Sequence, residues 1–263
     1  MRHPGVVCIG LLLALFQGCT AAAPAPTPAP VARCPDVVAT PGLDPLEPQS
    51  LMAWKGGPPL AYALGSGRHD RLRKLLADGE NPNVCLLGFS LLTLAGASGN
   101  VEEVRILLDS GAHPDLPRDS AGGTPLLSAI DAGHYEVARL LIQRGADVHV
   151  VADGNVTALY RLAISIVPPA RQADQAAFAR TLIDSGASID AAMGVPQVTP
   201  LMMAASRGNM PLVKVLLAAA ANPRLTDRSG RTAQDFALKK GHSEVAELLA
   251  DAAPPKASSA PPK

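Results

Sequence analysis

The chain has very few aromatic residues and no excess of charge of either sign. Phe, Trp and Tyr make up 3% of its 263 residues, and 23 Lys and Arg residues balance 23 Asp and Glu residues. A surface that binds nucleic acid needs a field of basic charge, and one that binds single strands also needs rings on which bases stack. Because both features are missing, we expect no nucleic-acid partner.

Residues arranged for catalysis or metal binding are scarce as well. His113 with Asp115, and Asp147 with His149, form pairs two residues apart that suit a divalent metal, but neither pair has a third ligand at metal-site spacing. No serine lies in a Gly-x-Ser-x-Gly turn, and no glycine loop of the Walker type occurs. We therefore expect no catalytic residue, no metal, no cofactor and no enzymatic activity. An enzyme without a recognisable site stays the alternative, because a fold does not exclude a function.

The chain contains instead a repeated two-helix pattern, which is clearest from Thr124 to His149. Thr124 can cap a helix, Pro125 suits the first helical position, and Gly133 and Gly145 can each end a helix in the left-handed conformation. Positions equivalent to Thr124 recur about every 33 residues, at Pro58, Ser90, Thr157, Thr199 and Thr232. Two helices this short cannot bury their apolar faces alone, so the pattern predicts a stack of copies.

The segment TPLLSAIDAGHYEVARLLIQRGADVH resembles the ankyrin repeat. The resemblance covers residues 50–253 and implies an all-α solenoid of about six helix-turn-helix repeats with short turns between them. The copies fall near residues 57–84, 89–115, 123–149, 156–190, 198–224 and 231–253. The family's histidine after the Thr-Pro-Leu triplet is absent from every copy. Neighbouring repeats should therefore depend more on apolar packing.

The fourth copy carries about eight extra residues, within the segment from Ile164 to Ala176. Pro168 and Pro169 cannot continue a helix, so we expect this insertion to form a loop between the two helices of the copy. In a solenoid, insertions project from one face and often mark the place where a partner binds.

The first 18 residues read as a lipoprotein signal peptide, with a positive start and an apolar segment too short for a permanent membrane helix. Cys19 ends a stretch that resembles a bacterial lipobox, although Phe16 and Gln17 differ from the usual residues. The resemblance implies that Cys19 is lipidated. Because Thr20 is not aspartate, it also implies the periplasmic side of the outer membrane. The alternative is ordinary signal cleavage, which would give a soluble periplasmic protein.

Residues 19–49 are rich in Pro and Ala and are expected to form a tether, and residues 254–263 a disordered tail, because neither can bury enough apolar surface to fold. Trp54 precedes the first repeat and is expected to cover its open end. Export also leaves two cysteines, Cys34 and Cys85, for a disulfide in an oxidising compartment. Two free thiols are the alternative.

The ankyrin resemblance implies that a protein partner binds the concave side of the solenoid. We expect Phe89, Val156 and Val198 to give this side an apolar strip, although the valines could instead be packed between adjacent turns. The charged residues expected to contact the partner are Asp131, Arg207 and, in the insertion, Arg171.

The predicted function is thus a monomeric, lipid-anchored protein-binding module in the periplasm, without enzymatic activity. Its partner would be a resident envelope protein. The alternative is an immunity protein that neutralises a toxin delivered into the periplasm.

Overall fold

Helix pairs recur along the chain in the computed structural model, which describes residues 59–65, 67–86, 88–116, 123–151, 156–194 and 197–252. These residues form twelve α-helices and little strand, so the predicted all-α architecture is confirmed. No helix among them combines the length and the apolar character that crossing a bilayer requires. Several predicted features lie outside the described residues, namely the signal peptide 1–18, Cys19, the tether 19–49, Cys34, Trp54 and the tail 254–263.

The twelve helices form six consecutive pairs. The first helices of the pairs are α1 (Pro59–Ala63), α3 (Leu91–Ser98), α5 (Pro125–Asp131), α7 (Ala158–Ile164), α9 (Pro200–Ser206) and α11 (Ala233–Lys239). The second helices are α2 (His69–Ala77), α4 (Val101–Asp109), α6 (Tyr135–Gln143), α8 (Gln172–Asp184), α10 (Met210–Ala218) and α12 (Ser243–Ala252). Two short antiparallel strands, β1 (Cys85–Leu86) and β2 (Phe89–Ser90), join the first two pairs.

A hydroxyl group starts five of the six first helices. The Thr124 hydroxyl accepts a hydrogen bond from the Leu127 N–H, which is one of the donors that a helix cannot satisfy internally. The equivalent residues of the other copies do the same, namely Ser90, Thr157, Thr199 and Thr232. The capping role that the sequence predicts for Thr124 is confirmed.

Packing between pairs joins the helices into two continuous rows. Each first helix from α3 to α11 contacts the next first helix, and each second helix from α2 to α12 contacts the next second helix. The positions of the missing family histidine are buried in five copies, where they hold Ala61, Thr93, Leu127, Tyr160 and Met202. Ala61, Leu127 and Met202 fill the place of the family histidine with apolar side chains, whereas the Thr93 hydroxyl forms a hydrogen bond with the Ser90 hydroxyl.

A buried carboxylate, Glu103, links the first two repeats. Its Oε1 atom accepts a hydrogen bond from the Gly65 N–H at 2.8 Å, while burial raises the pKa of the carboxyl group above its usual value. Glu103 lies at the start of α4, where the helix dipole favours a negative charge. We therefore assign Glu103 a structural role in joining the two repeats.

Glycine in the left-handed conformation follows the second helix of four repeats, and the fifth repeat differs. Gly145 has a φ of 91° after α6, whereas Ala220 has a φ of 66° at the equivalent place after α10. The β-carbon of alanine crowds the backbone in this region, which glycine adopts without that cost.

Replacing Ala220 by glycine should therefore stabilise the protein, by about 0.5–1 kcal/mol once the greater flexibility of glycine in the unfolded chain is subtracted. The matched control is Ala219→Gly, because Ala219 has a φ of −92° and gains nothing from glycine. Denaturant unfolding of the two variants should shift the midpoint in opposite directions. A loss of stability in Ala220→Gly would contradict the assignment of strain to this position.

The insertion in the fourth repeat is only partly a loop. Residues Ser165 to Pro168 connect the helices, a 3-10 turn follows at Pro169–Arg171, and α8 then begins at Gln172. The prediction that the insertion is a loop between the two helices therefore holds only in part, because residues 172–176 of the segment that contains it are helical. Proline stops a helix from continuing but suits the start of one, and Ala176 is buried, so the chain re-enters a helix early.

A buried glutamine takes the place of a stop glycine after α7. This helix ends at Ser165 in an extended conformation, and Gln175 Nε2 donates a hydrogen bond to the Leu162 carbonyl oxygen at 2.7 Å. The Gln175 Oε1 atom accepts a hydrogen bond from Asn209 Nδ2 at 2.5 Å. Asn209 in turn caps α10. One side chain thus satisfies the end of α7 and connects the fourth repeat to the fifth.

Replacing Gln175 by alanine should destabilise the protein by about 2 kcal/mol, because it removes two buried hydrogen bonds and leaves the Asn209 amide buried without its partner. The control is Gln172→Ala, since Gln172 is half-buried at the start of the same helix. The measurement is the free energy of unfolding in urea. Equal effects of the two substitutions would show that the Gln175 hydrogen bonds do not hold the insertion in place.

Candidate protein-binding surface

A pocket opens on the face formed by the first helices α3, α5 and α7. We call it the first-helix pocket; its volume is about 440 Å³, and it is lined by Phe89, Ala97, Gly123, Thr124, Leu127, Ser128, Asp131, Ala132 and Arg161. Phe89 forms an apolar wall and is partly buried. The pocket exists because small residues, Ala97 and Ser128, occupy the positions where larger side chains would fill it.

An ion pair lies at the edge of the first-helix pocket. Arg161 Nε on α7 is 3.0 Å from Asp131 Oδ1 on α5, and both side chains keep part of their surface exposed. Burial raises the pKa of Asp131, and the Arg161 guanidinium partly offsets this rise. Exposed pairs of this kind contribute only about 0–1 kcal/mol to stability. The exposed part of both side chains is available to a partner.

The predicted apolar strip is wrong for two of its three members. Val156 and Val198 are each only 7% exposed, and Val198 pairs with Met193 in an isolated β-bridge. Both valines pack within the inter-repeat turns, as the alternative interpretation has it. Phe89 is the member that lines a pocket.

The charged residues predicted to contact a partner fall in separate places. Asp131 shares the first-helix pocket with Phe89. Arg207 is exposed, and its Nη2 atom donates a hydrogen bond to the Ile164 carbonyl oxygen at 3.1 Å. Arg171 does not line the first-helix pocket, because its guanidinium contacts Gly133 at the end of α5. Phe89 lines the first-helix pocket, and no described residue of the insertion does.

Arg171 lines a second depression, which we call the insertion groove. This groove has a volume of about 440 Å³ and is lined by Gly99, Val101, Gly133, His134, Tyr135, Glu136, Val137, Arg139, Arg171, Asp174 and Ala177. Arg171 Nη2 donates a hydrogen bond to the Gly133 carbonyl oxygen at 2.6 Å, and its guanidinium lies 5.6 Å from the centre of the Tyr135 ring. The insertion thus builds one wall of a groove over the second helices.

Aromatic stacking joins α6, on one side of the insertion groove, to α8, the helix that follows the insertion. The Tyr135 ring stacks on Phe178 of α8 with ring centres 5.1 Å apart and planes inclined by 11°. The Arg139 guanidinium lies 5.5 Å from the centre of the Phe178 ring and also donates a hydrogen bond to Thr181. These contacts connect α6 to α8.

Sequence reasoning missed Arg161, although a signal was present. Arg161 lies four residues after the capping Thr157, at a position where the other copies carry uncharged residues, namely Tyr62, Leu94, Ser128, Met203 and Phe236. A charged residue at a repeat position that is otherwise uncharged indicates either an ion pair or a binding contact. In this repeat it forms the ion pair with Asp131.

The histidine and aspartate pairs of the turns have a structural role. The Asp115 carboxylate accepts a hydrogen bond from the Asp147 N–H at 3.1 Å, and Asp147 Oδ1 accepts one from the His149 N–H at 2.8 Å. These bonds connect successive turns and use the side chains that a metal would need. Over the residues that the structure describes, no group of three or more His, Cys, Asp or Glu side chains could hold a metal ion.

Cys85, on β1, is disulfide-bonded. Its predicted partner, Cys34, lies outside the described residues. The pairing of these two cysteines stays a prediction.

Comparison with known proteins identifies the repeat. A family model for ankyrin repeats in three copies matches residues 60–152 and again residues 170–258. The chain belongs to the ankyrin repeat family. The two matches are separated by a segment that contains α7 and the start of the insertion, where this chain departs from the regular ankyrin period.

Relatives of the ankyrin repeat chain occur in fungi, bacteria and animals. It is 31% identical over 208 residues to ankyrin repeat protein nuc-2 of Neurospora crassa, a match that covers 78% of this chain and 18% of the relative. It is 35% identical over 140 residues to a putative ankyrin repeat-containing protein of Treponema pallidum, covering 53% of this chain and 44% of the relative. It is 31% identical over 215 residues to ankyrin repeat and SOCS box protein 16 of Mus musculus, covering 69% and 47%. The chain spans less than half the length of each of these relatives.

Membership of the ankyrin repeat family indicates a protein–protein interaction module. Ankyrin repeat proteins are in general not enzymes.

Proposed function

We propose that this ankyrin repeat protein binds a protein partner through the first-helix pocket, as a monomer and without catalysing a reaction. The observation that carries the proposal is the combination of the Phe89 wall with the Asp131–Arg161 pair at its edge. Protein interfaces join a desolvated apolar centre to a polar rim, and aromatic and arginine side chains carry much of their binding energy.

The pocket suits one apolar side chain of the partner with a charged residue beside it. Its volume of about 440 Å³ is large enough for a bulky side chain, and Phe89 supplies the apolar contact. The partner's charged residue would compete for one member of the Asp131–Arg161 pair. Because this pair is partly exposed, separating it costs little.

Cross-linking in intact cells, followed by affinity capture, identifies the partner, and the dissociation constant of the purified complex then tests the surface. The double substitution Phe89→Ala with Arg161→Glu should weaken binding at least about tenfold, because it removes an aromatic anchor and reverses a charge. The matched control is Leu238→Ala with Arg180→Glu, since both residues are exposed and lie outside the pocket. Unchanged affinity in the pocket variant would place the binding surface elsewhere. The identity of the partner also distinguishes a resident envelope protein from a toxin.

We further propose that the protein is exported and held by a lipid at Cys19 on the periplasmic side of the outer membrane, with residues 19–49 as a tether. The support is the pattern of the first 18 residues and the apolar segment within them. A disulfide between Cys34 and Cys85 agrees with this compartment, because disulfides persist where the surroundings are oxidising.

Membrane fractionation tests the lipid anchor, and thiol labelling tests the disulfide. Cys19→Ala should move the protein from the membrane fraction to the soluble periplasm or block its processing. In the wild-type protein, thiol labelling after denaturation without reductant should find Cys34 and Cys85 unreactive. A Cys19→Ala variant that stays in the membrane at mature size would exclude the lipid anchor, and reactive thiols would exclude the bridge.

A further inference from the structure

The start of α6 differs from the starts of α4 and α10 because no side chain caps it. Asn100 and Asn209 accept hydrogen bonds from the first turns of α4 and α10, whereas His134 makes no such bond at the start of α6. The first N–H groups of a helix have no partner inside it and carry the positive end of the helix dipole. Residues 134–137, which contain these groups, line the insertion groove.

A buried hydroxyl group without a partner lies at the same place. Tyr135 is only 6% exposed, and its Oη atom has no hydrogen-bond partner among the described residues. Tyr135 lines the groove together with Arg171 and Asp174, and the Arg171 guanidinium lies over its ring. A buried hydroxyl without a partner costs about 1–3 kcal/mol. That cost is removed if a ligand accepts its proton in a hydrogen bond.

Arg171 adds a positive group beside the hydroxyl. Its Nη2 atom is committed to the Gly133 carbonyl, and its planar guanidinium has further N–H donors that form no hydrogen bond with described residues. Arg171 is there because of the insertion: the 3-10 turn Pro169–Arg171 and the additional first turn of α8 carry Arg171 and Asp174 over the start of α6. A repeat of regular length would place neither Arg171 nor Asp174 beside the start of α6.

We propose that the insertion groove binds a carboxylate group, supplied by an acidic side chain or the C-terminus of a protein partner. The carboxylate would accept hydrogen bonds from the first turn of α6, from the Tyr135 hydroxyl and from the Arg171 guanidinium. A planar group with one negative charge suits the arginine fork. Glu136 and Asp174 also line the groove and balance the charges of Arg139 and Arg171, so a singly charged carboxylate is repelled less than a doubly charged phosphate. This site is separate from the first-helix pocket and does not depend on it.

The test uses the full chain labelled with ¹⁵N and follows the amide signals of residues 135–137. Three probes are added at constant ionic strength: sodium acetate, a short peptide rich in Asp and Glu, and the same peptide with Asn and Gln and an amidated end. We expect acetate and the acidic peptide to shift these signals in a saturable way and the neutral peptide to leave them unchanged. Tighter binding of the peptide than of acetate assigns the carboxylate to a protein, and equal binding assigns it to a small free acid.

Two substitutions separate binding from stability. Arg171→Ala should weaken binding at least about tenfold, whereas Arg180→Ala, an exposed arginine of the same helix outside the groove, should not change it. Tyr135→Phe should weaken binding several-fold, yet leave the melting temperature of the free protein equal or higher, because it deletes a hydroxyl that has no partner. The proposal is overturned if no saturable shift occurs up to about 100 mM acetate or peptide. It is equally overturned if Arg171→Ala binds as the wild type does, or if Tyr135→Phe lowers stability without affecting binding.

Discussion

The contact of each helix pair with the next pair is the interaction on which the rest of the structure depends. Most of these helices have five to ten residues, which is shorter than an isolated helix needs to be stable in water. Leu107, Leu141 and Leu182, on the second helices of successive repeats, are fully buried because each repeat covers its neighbour. Hydroxyl caps and left-handed glycines set where the helices start and stop. The helices themselves are stable because apolar side chains are buried between neighbouring repeats.

The insertion shows how this stack accommodates an irregular repeat. α7 has no stop glycine, and the buried side chain of Gln175 adds a hydrogen bond to the Leu162 carbonyl, which also accepts one from the Ser165 N–H. The same side chain contacts Asn209, which caps the second helix of the next repeat. The additional turn of α8 therefore does not interrupt the row of second helices. It adds a wall over α6 instead, and that wall creates the insertion groove.

The repeat pattern predicted the fold well because each residue type has one role in every copy. Thr124 as a cap and Gly145 as a left-handed end residue follow from local backbone chemistry. The surface was predicted less well, because period alone does not show which side chains meet across neighbouring repeats. Val156 and Val198 occupy a position that faces the partner side in the pattern, yet both pack within the turns.

The first-helix pocket and the insertion groove were not predicted, because both depend on contacts between side chains of different repeats. Arg161 reaches Asp131 from another repeat, and Arg171 turns back over Tyr135 across about 36 positions of sequence. Rules based on residue spacing describe neighbours within one helix, so they predict neither contact. The helical start at Gln172 does not follow from the rule that proline ends a helix, because proline also occurs at the start of helices.

Native-state hydrogen exchange tests the central claim, which is that contacts between neighbouring repeats continue through the fourth repeat. The decisive amides are those of buried residues on either side of the insertion, Ala129 and Ile130 in α5 and Ala204 and Ala205 in α9. If the stack is continuous, these amides exchange with similar free energies of opening and respond together to added denaturant. Amides that open at a clearly lower free energy on one side of the insertion than on the other would show that the insertion divides the stack, and would contradict the claim.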